Sequence, residues 1–354
     1  MSGPRHSVAM ITNTNPQLPF LTNKSPMRRI GRFSVTDKLG NGSSGTVFLG
    51  HDPVIDRAVA IKILGPVAGV ADKKQREQHF INEARAAGRL SHPNIVTIFD
   101  ASNEGGTTFI AMEFLQGQDL REMMAGGKKF NIIEVANIIS KVASALAYAH
   151  ENGVIHRDIK PANIFILPNN QPKVVDFGIA RAPNRVLSTD GHAAETLFNN
   201  NVMGTPNYMS PEQAMGQAVN ALTDVYSLGA VMYEMLTLRK PFHSPDMNKL
   251  LHLIAHKTAK SPSEISPNVP ERLSQIVMKA LQKDPAARYA SAADMAVALE
   301  KFLARDKRLK RRRTQNTSSS DSSRTQAPEK GTMFWVSLAL FVVAISLVFF
   351  TLKQ

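Results

Sequence analysis

The sequence predicts an α+β fold followed by one hydrophobic C-terminal helix. Two features near the start predict the mixed class: β-branched and aromatic runs flank a glycine-rich turn at 40–45, and a segment with helical periodicity follows at 73–90. A third feature, an uncharged apolar run at 333–352, predicts the terminal helix. With 354 residues the chain is long enough to bury a large core.

Composition excludes several classes of function. The chain has no cysteine, which excludes a disulfide scaffold, an iron–sulfur cluster, a thiolate zinc site and cysteine-based catalysis. Its net charge of +13 is compatible with binding to nucleic acid, to an anionic membrane or to a polyanionic substrate. Residues 31–304 hold 28 basic and 26 acidic side chains, whereas 305–332 hold nine and three. The excess of basic over acidic residues therefore lies at the two ends of the chain.

The first element is a glycine-rich turn, Gly40-Asn41-Gly42-Ser43-Ser44-Gly45-Thr46-Val47. A Walker A loop needs Lys and Ser/Thr after its last glycine, and Thr46-Val47 does not supply them. A Rossmann turn opens a helix, whereas the run at 46–49 predicts a strand. With the extended run at 33–39 before it, the turn is predicted at a hairpin tip, where backbone can close over phosphates. On this segment alone an ordinary glycine turn is an equal alternative.

The next elements are a strand and a helix that each carry one charged residue of interest. Val59-Ala60-Ile61-Lys62 is an apolar strand that ends in lysine, and Lys73–Leu90 places Phe80 and Ala84 on one helical face. In this register Lys62 can reach the phosphates of a nucleotide, or it can face solvent. Glu83 is the predicted partner that holds Lys62, with a surface acid as the alternative.

Motifs in the second half identify a family. They are His156-Arg157-Asp158-Ile159-Lys160-Pro161-Ala162-Asn163 and Asp176-Phe177-Gly178, followed by Gly204-Thr205, Ser210-Pro211-Glu212 and Asp224-Val225-Tyr226. With the glycine turn and Lys62, the chain resembles the eukaryotic-type (Hanks-type) Ser/Thr protein kinase family over residues 31–304. The sequence of residues 204–213 is most similar to that of bacterial membrane-anchored Ser/Thr kinases. We expect this protein to be a membrane-anchored kinase that lacks an extracellular sensor domain.

The resemblance implies a bilobal protein kinase fold, with a small β-rich N-lobe at 31–115 and a larger helical C-lobe at 116–304. It implies that Asp158 accepts the proton of the substrate hydroxyl, that Lys160 neutralises the transferring phosphate, and that Asn163 and Asp176 bind Mg²⁺, with Mn²⁺ as an alternative ion. Lys62 and Glu83 would fix the phosphates of ATP. The implied remainder of the ATP site is Leu39, Gly40, Asn41, Gly42, Ser43, Ser44, Gly45, Val47, Ala60, Met112, Glu113 and Leu115.

The same resemblance implies protein substrates and regulation by phosphorylation. The segment from Asp176 to Glu212 is long, and Arg157 can dock a phosphorylated loop. Ser188, Thr189 and Thr196 are the predicted acceptors, through trans-autophosphorylation in a transient homodimer; the alternative is a loop that needs no phosphate. Two other functions stay open from sequence: a pseudokinase scaffold and a small-molecule kinase. Glu212 with Arg288, and Asp224, are implied structural residues.

The C-terminal end predicts a membrane anchor. The 20 residues 333–352 would span roughly 30 Å as a helix, the thickness of a bilayer core. The basic and Ser-rich segment 305–332 is predicted to be a tether. Its basic run Lys307–Arg313 sets topology or contacts anionic lipid, and the polar stretch 314–323 is flexible. Specific nucleic-acid binding is disfavoured because no aromatic residues interleave the charges of the basic run. Residues 1–30 are predicted to be flexible, without a signal peptide. We therefore expect a single-pass protein of the cell membrane with a cytoplasmic catalytic domain.

Overall fold

The computed structural model describes residues 28–42, 45–65, 70–177 and 206–322. Several predictions lie outside these ranges and concern Ser43, Ser44, the phosphorylation sites Ser188, Thr189 and Thr196, and the membrane helix 333–352. The chain divides after Leu303 into two compact units. The first unit contains the two lobes that the sequence predicted.

The N-lobe is built on a six-stranded antiparallel sheet in the order β1-β2-β3-β4-β6-β5. Its strands are β1 (Arg28–Ile30), β2 (Phe33–Gly42), β3 (Gly45–Asp52), β4 (Arg57–Leu64), β5 (Ile98–Glu104) and β6 (Thr107–Glu113). Strand β1 begins inside the segment predicted to be flexible, because Ile30 is buried against the sheet. The glycine turn lies at the tip of the β2–β3 hairpin, as predicted, with Gly42 opposite Gly45.

Helix α1 (Val70–Ala87) packs on this sheet. Phe80 and Ala84, one turn apart, are buried with Ile110 of β6 in one apolar cluster. The spacing that predicted the helix is therefore the spacing of its buried face. Glu83 precedes Ala84 and lies partly buried beside this face.

The C-lobe combines a small sheet with helices. The sheet order is β7-β8-β9, formed by Gln118–Asp119, Ile164–Ile166 and Pro172–Val174. Its helices are α2 (Leu120–Ala125), α3 (Ile132–Glu151), α4 (Pro211–Ala214), α5 (Ala221–Thr237), α6 (Met247–His256), α7 (Pro262–Ile265), α8 (Glu271–Ala280) and α9 (Ala292–Ser322). A capping box between Asn131 and Glu134 starts α3, and α3 and α5 form the centre of the largest apolar core.

Helix α9 corrects one prediction. Residues 314–322 belong to this helix, although the polar stretch 314–323 was predicted to be a flexible part of the tether 305–332. The helix starts in the C-lobe core, where Met295, Leu299 and Phe302 are buried, and each further residue needs only one more backbone hydrogen bond to extend it. Of the described residues, only α3 forms a helix long and apolar enough to cross a membrane, and most of that stretch is buried in the C-lobe.

Candidate active site

The tip of the glycine hairpin is packed closely against β4. Gly40 pairs with Val47 across the hairpin, and Thr46 Oγ1 donates to Asn41 Oδ1 at 3.0 Å. A Cβ atom at Gly45 would overlap the carbonyl oxygen of Ile63 on β4. Only glycine therefore lets β3 approach β4 this closely at the tip.

Five residues of the predicted ATP site pack together in the structure. One buried apolar cluster contains Leu39, Val47, Ala60, Met112 and Leu115, which come from four separate segments. The cluster also contains Phe165 of β8, which the sequence reasoning missed. The apolar run Ile164–Ile166 directly after Asn163 was the available signal. The cluster therefore joins apolar side chains of the N-lobe sheet to the small sheet of the C-lobe.

Lys62 does not make its predicted contact. Its side chain is 2% exposed, and Nζ lies 2.8 Å from Oδ1 of Asp176 instead of pairing with Glu83. The predicted Lys62–Glu83 pair is therefore wrong for this conformation. A buried ammonium group needs a counter-charge, and Asp176 supplies it here.

Glu83 is left in an unfavourable environment as a result. Among the described residues, its Oε2 is buried and has no hydrogen-bond partner. Burial raises the pKa of Glu83 to about 8, and the nearby charge of Arg157 opposes only part of that rise. The carboxyl group is therefore largely protonated at neutral pH in this arrangement.

Asp158 lies at the centre of a polar cluster in the loop before β8. Its Oδ2 lies 2.6 Å from Lys160 Nζ and 3.3 Å from Asn163 Nδ2. Asn163 Nδ2 also donates to the main-chain carbonyl of Asp158 at 2.8 Å. The amide nitrogen of Asn163 is thus used within the loop, which leaves its side-chain oxygen as the end suited to a metal ion.

The donor atoms present fit Mg²⁺. Asn163 and Asp176 offer an amide oxygen and carboxylate oxygens, the hard ligands that this ion prefers. The two segments are linked, since the N–H of Val175, the residue before Asp176, donates to the carbonyl oxygen of Asn163 at 3.0 Å. Asn163 in turn contacts Asp158.

Asp224 supports the loop that carries Asp158. Its two carboxylate oxygens accept from the backbone N–H groups of His156 and Arg157, both at 2.8 Å, and from His150 Nε2 at 2.8 Å. The backbone of Arg157 has a left-handed φ of 64°, which residues other than glycine rarely adopt without such restraint. Asp224 is fully buried, and these three donors replace the hydrogen bonds that its carboxylate would make to water.

A second buried acid braces the C-lobe. Arg288 Nη1 and Nη2 bind the two oxygens of Glu212 at 2.9 and 2.7 Å, and Thr223 Oγ1 donates to Glu212 at 2.7 Å. Burial raises the pKa of Glu212, but these hydrogen bonds and the charge of Arg288 outweigh it and hold the pKa below its ordinary value. The structural pairing that the resemblance implied is present.

The fold and the polar cluster around Asp158 define a two-lobed α+β protein with a buried lysine–aspartate pair. Residues 33–300 match the family described as protein kinase domain, and the chain belongs to that family. It is 38% identical over 267 residues to serine/threonine-protein kinase PrkC of Bacillus subtilis, which covers 75% of this chain and 39% of that protein. It is 37% identical over 275 residues to PknB of Mycobacterium leprae, covering 77% of this chain and 43% of that protein. The predicted resemblance to bacterial Ser/Thr kinases is confirmed.

Solved structures show the same fold. The kinase domain of Mycobacterium tuberculosis PknI superposes with a TM-score of 0.62 at 26% identity, covering 78% of this chain and 98% of that chain. The predicted bilobal architecture is confirmed by this likeness. This chain spans about two fifths of the length of the curated relatives it matches.

Proposed function

We propose that this chain is an ATP-dependent serine/threonine protein kinase that transfers the γ-phosphate of ATP to Ser or Thr hydroxyls of proteins, itself included. One observation carries the proposal: Asp158, Lys160 and Asn163 form a hydrogen-bonded cluster, beside the pair Lys62–Asp176. Membership of the protein kinase family and relatives that are bacterial Ser/Thr kinases support it.

The chemistry follows from these positions. Asp158 accepts the proton of the substrate hydroxyl, and the hydrogen bond from Asn163 holds its carboxylate in place. Lys160 stabilises the negative charge of the transferring group, and Lys62 binds the phosphates after it leaves Asp176. Asn163 and Asp176 would hold Mg²⁺, which supplies further charge neutralisation when bound. Catalysis is therefore mainly positioning and electrostatic stabilisation.

A pseudokinase scaffold is the second candidate function. Such a protein usually lacks the lysine, the catalytic aspartate or the metal aspartate, and Lys62, Asp158 and Asp176 are all retained. A small-molecule kinase is less well supported, because the curated relatives that match are named serine/threonine-protein kinases.

The discriminating experiment measures transfer of labelled γ-phosphate from ATP and Mg²⁺ to a generic protein substrate and to the chain itself. We expect Asp158→Asn and Lys62→Ala to lose about 100-fold or more in rate, because each removes a charged group from the reaction centre. Glu300→Gln, exposed on α9, is the matched control and retains the wild-type rate. A wild-type chain that transfers no Asp158-dependent phosphate would support the scaffold instead.

We further propose that the chain is anchored in the cell membrane by residues 333–352, with the kinase lobes on the cytoplasmic side. The length and apolarity of this segment and the adjoining basic run Lys307–Arg313 support the proposal. The full chain should remain with membranes after alkaline carbonate extraction, and deletion of 333–352 should release it. Equal release of both chains would contradict the anchor.

A further inference from the structure

The segment Ser210–Gln213 makes contacts that its family resemblance did not explain. Ser210 is the N-cap of α4, and its Oγ accepts from Gln213 N at 3.3 Å while Gln213 Oε1 accepts from Ser210 N at 3.1 Å. The two side chains thus form a capping box around Pro211 and Glu212. An alanine at position 210 would have no hydroxyl and could not form this box.

The other end of the Gln213 amide reaches the catalytic loop. Gln213 Nε2 donates to the carbonyl oxygen of Arg157 at 2.8 Å, across 56 residues of sequence. The orientation of the amide is fixed by chemistry, because a carbonyl can only accept and the N–H of Ser210 can only donate. Gln213 therefore uses its donor and its acceptor at the same time.

These contacts act on a residue whose backbone is already strained. Arg157 has a φ of 64°, and its N–H donates to Asp224 Oδ1 at 2.8 Å. With Gln213 on its carbonyl, both main-chain polar groups of Arg157 are held by side chains from the C-lobe helices. Strained backbone persists where its surroundings restrain it from several sides.

The carbonyl that Gln213 holds belongs to the peptide unit that joins Arg157 to Asp158. Because a peptide unit is planar, a hydrogen bond to its oxygen also restrains the direction of the Asp158 N–H and the position of the Asp158 Cα atom. That N–H donates to His156 Nδ1 at 3.2 Å, and the side chain meets Lys160 at 2.6 Å. Gln213 is thus placed to set the orientation of Asp158.

We propose that Gln213 is a positioning residue for phosphoryl transfer, acting through the Arg157–Asp158 peptide and dependent on the capping box with Ser210. The inference rests on the proposed role of Asp158. Only an amide satisfies both ends: a glutamate lacks the donor and would place a carboxylate against the carbonyl of Arg157, and an alanine lacks both. Its effect falls on the rate of transfer, since the predicted ATP site is built from other residues.

The test compares Gln213→Ala and Gln213→Glu with wild type in the full chain. We expect kcat for a protein substrate to fall about tenfold, with the KM for ATP unchanged within about twofold, because small displacements of a catalytic group are costly. Ser210→Ala should lower kcat in the same direction, and Ser210→Thr, which keeps a hydroxyl cap, should restore it. Melting temperatures identify any variant that simply fails to fold, and Gln213→Glu keeps the shape of the side chain in that event.

The chain offers a matched control in α7. Helix α7 (Pro262–Ile265) also has four residues and a serine N-cap, Ser261. The Oγ of Ser261 accepts from Glu264 N at 3.3 Å. Glu264→Ala should leave kcat at the wild-type value. The inference is overturned if both Gln213 variants keep wild-type kcat, or if Glu264→Ala lowers kcat as much as they do. An Asp158→Asn chain with wild-type activity would instead refute the proposed function.

Discussion

Replacing Arg288 by alanine tests whether the buried ion pair with Glu212 holds the C-lobe together. The side chain of Arg288 is fully buried, and its five N–H groups reach Glu212 twice and the carbonyl oxygens of Gln282, Leu222 and Lys283. Alanine would leave the carboxylate of Glu212 buried, with Thr223 as its one remaining side-chain donor among the described residues. Removing one partner of a buried pair costs about 3–5 kcal/mol.

That cost corresponds to a large shift in thermal unfolding. For a lobe of this size, a change of 1 kcal/mol lowers the melting temperature by about 2–4 °C, so the expected decrease is roughly 6–20 °C. Circular dichroism of the purified full chain measures it. Arg272→Ala, exposed on α8, is the control and should change the melting temperature by less than about 2 °C.

A double variant separates the ion pair from simple loss of volume. Glu212→Leu with Arg288→Met removes both charges and should be more stable than Arg288→Ala, because no unpaired charge remains. A decrease below about 3 °C for Arg288→Ala, or a double variant less stable than the single one, would refute the reasoning.

Three further predictions concern activity. In this conformation the pKa of Glu83 is raised to about 8, so the carboxyl group is protonated at pH 6. A Glu83 carboxylate that pairs with Lys62 carries no proton. Raising the pH from 6 to 9 should therefore favour the Lys62–Glu83 pair. The ratio of wild-type to Glu83→Gln kcat/KM should therefore rise with pH, and a flat ratio would contradict it. If phosphorylation of Ser188, Thr189 or Thr196 activates the chain, the triple alanine variant should phosphorylate a peptide at least about tenfold more slowly; an equal rate would remove that mechanism. Gly45→Ala should raise the KM for ATP, because its Cβ overlaps the carbonyl of Ile63 and displaces the hairpin, and titration of an ATP analogue checks this.

Local sequence was sufficient to predict an element wherever the residues within one segment determine its conformation. The glycine turn between two β-branched runs predicted the β2–β3 hairpin, and the spacing of Phe80 and Ala84 predicted the buried face of α1. Asp158, Asn163 and Asp176 were predicted through the family resemblance of the motifs that contain them. The helical state of 314–322 was missed, because it continues a helix that the C-lobe core starts.

The sequence by itself determined the fold class, the family and the set of charged groups at the site, since these follow from residue type and spacing along the chain. Only the tertiary structure decided the contacts between distant segments. Lys62 pairs with Asp176 instead of Glu83, and Gln213 donates to the carbonyl oxygen of Arg157. A buried charge or donor needs a partner, and the packing of the lobes determines which partner lies within hydrogen-bond distance. Spacing along the chain does not contain those distances.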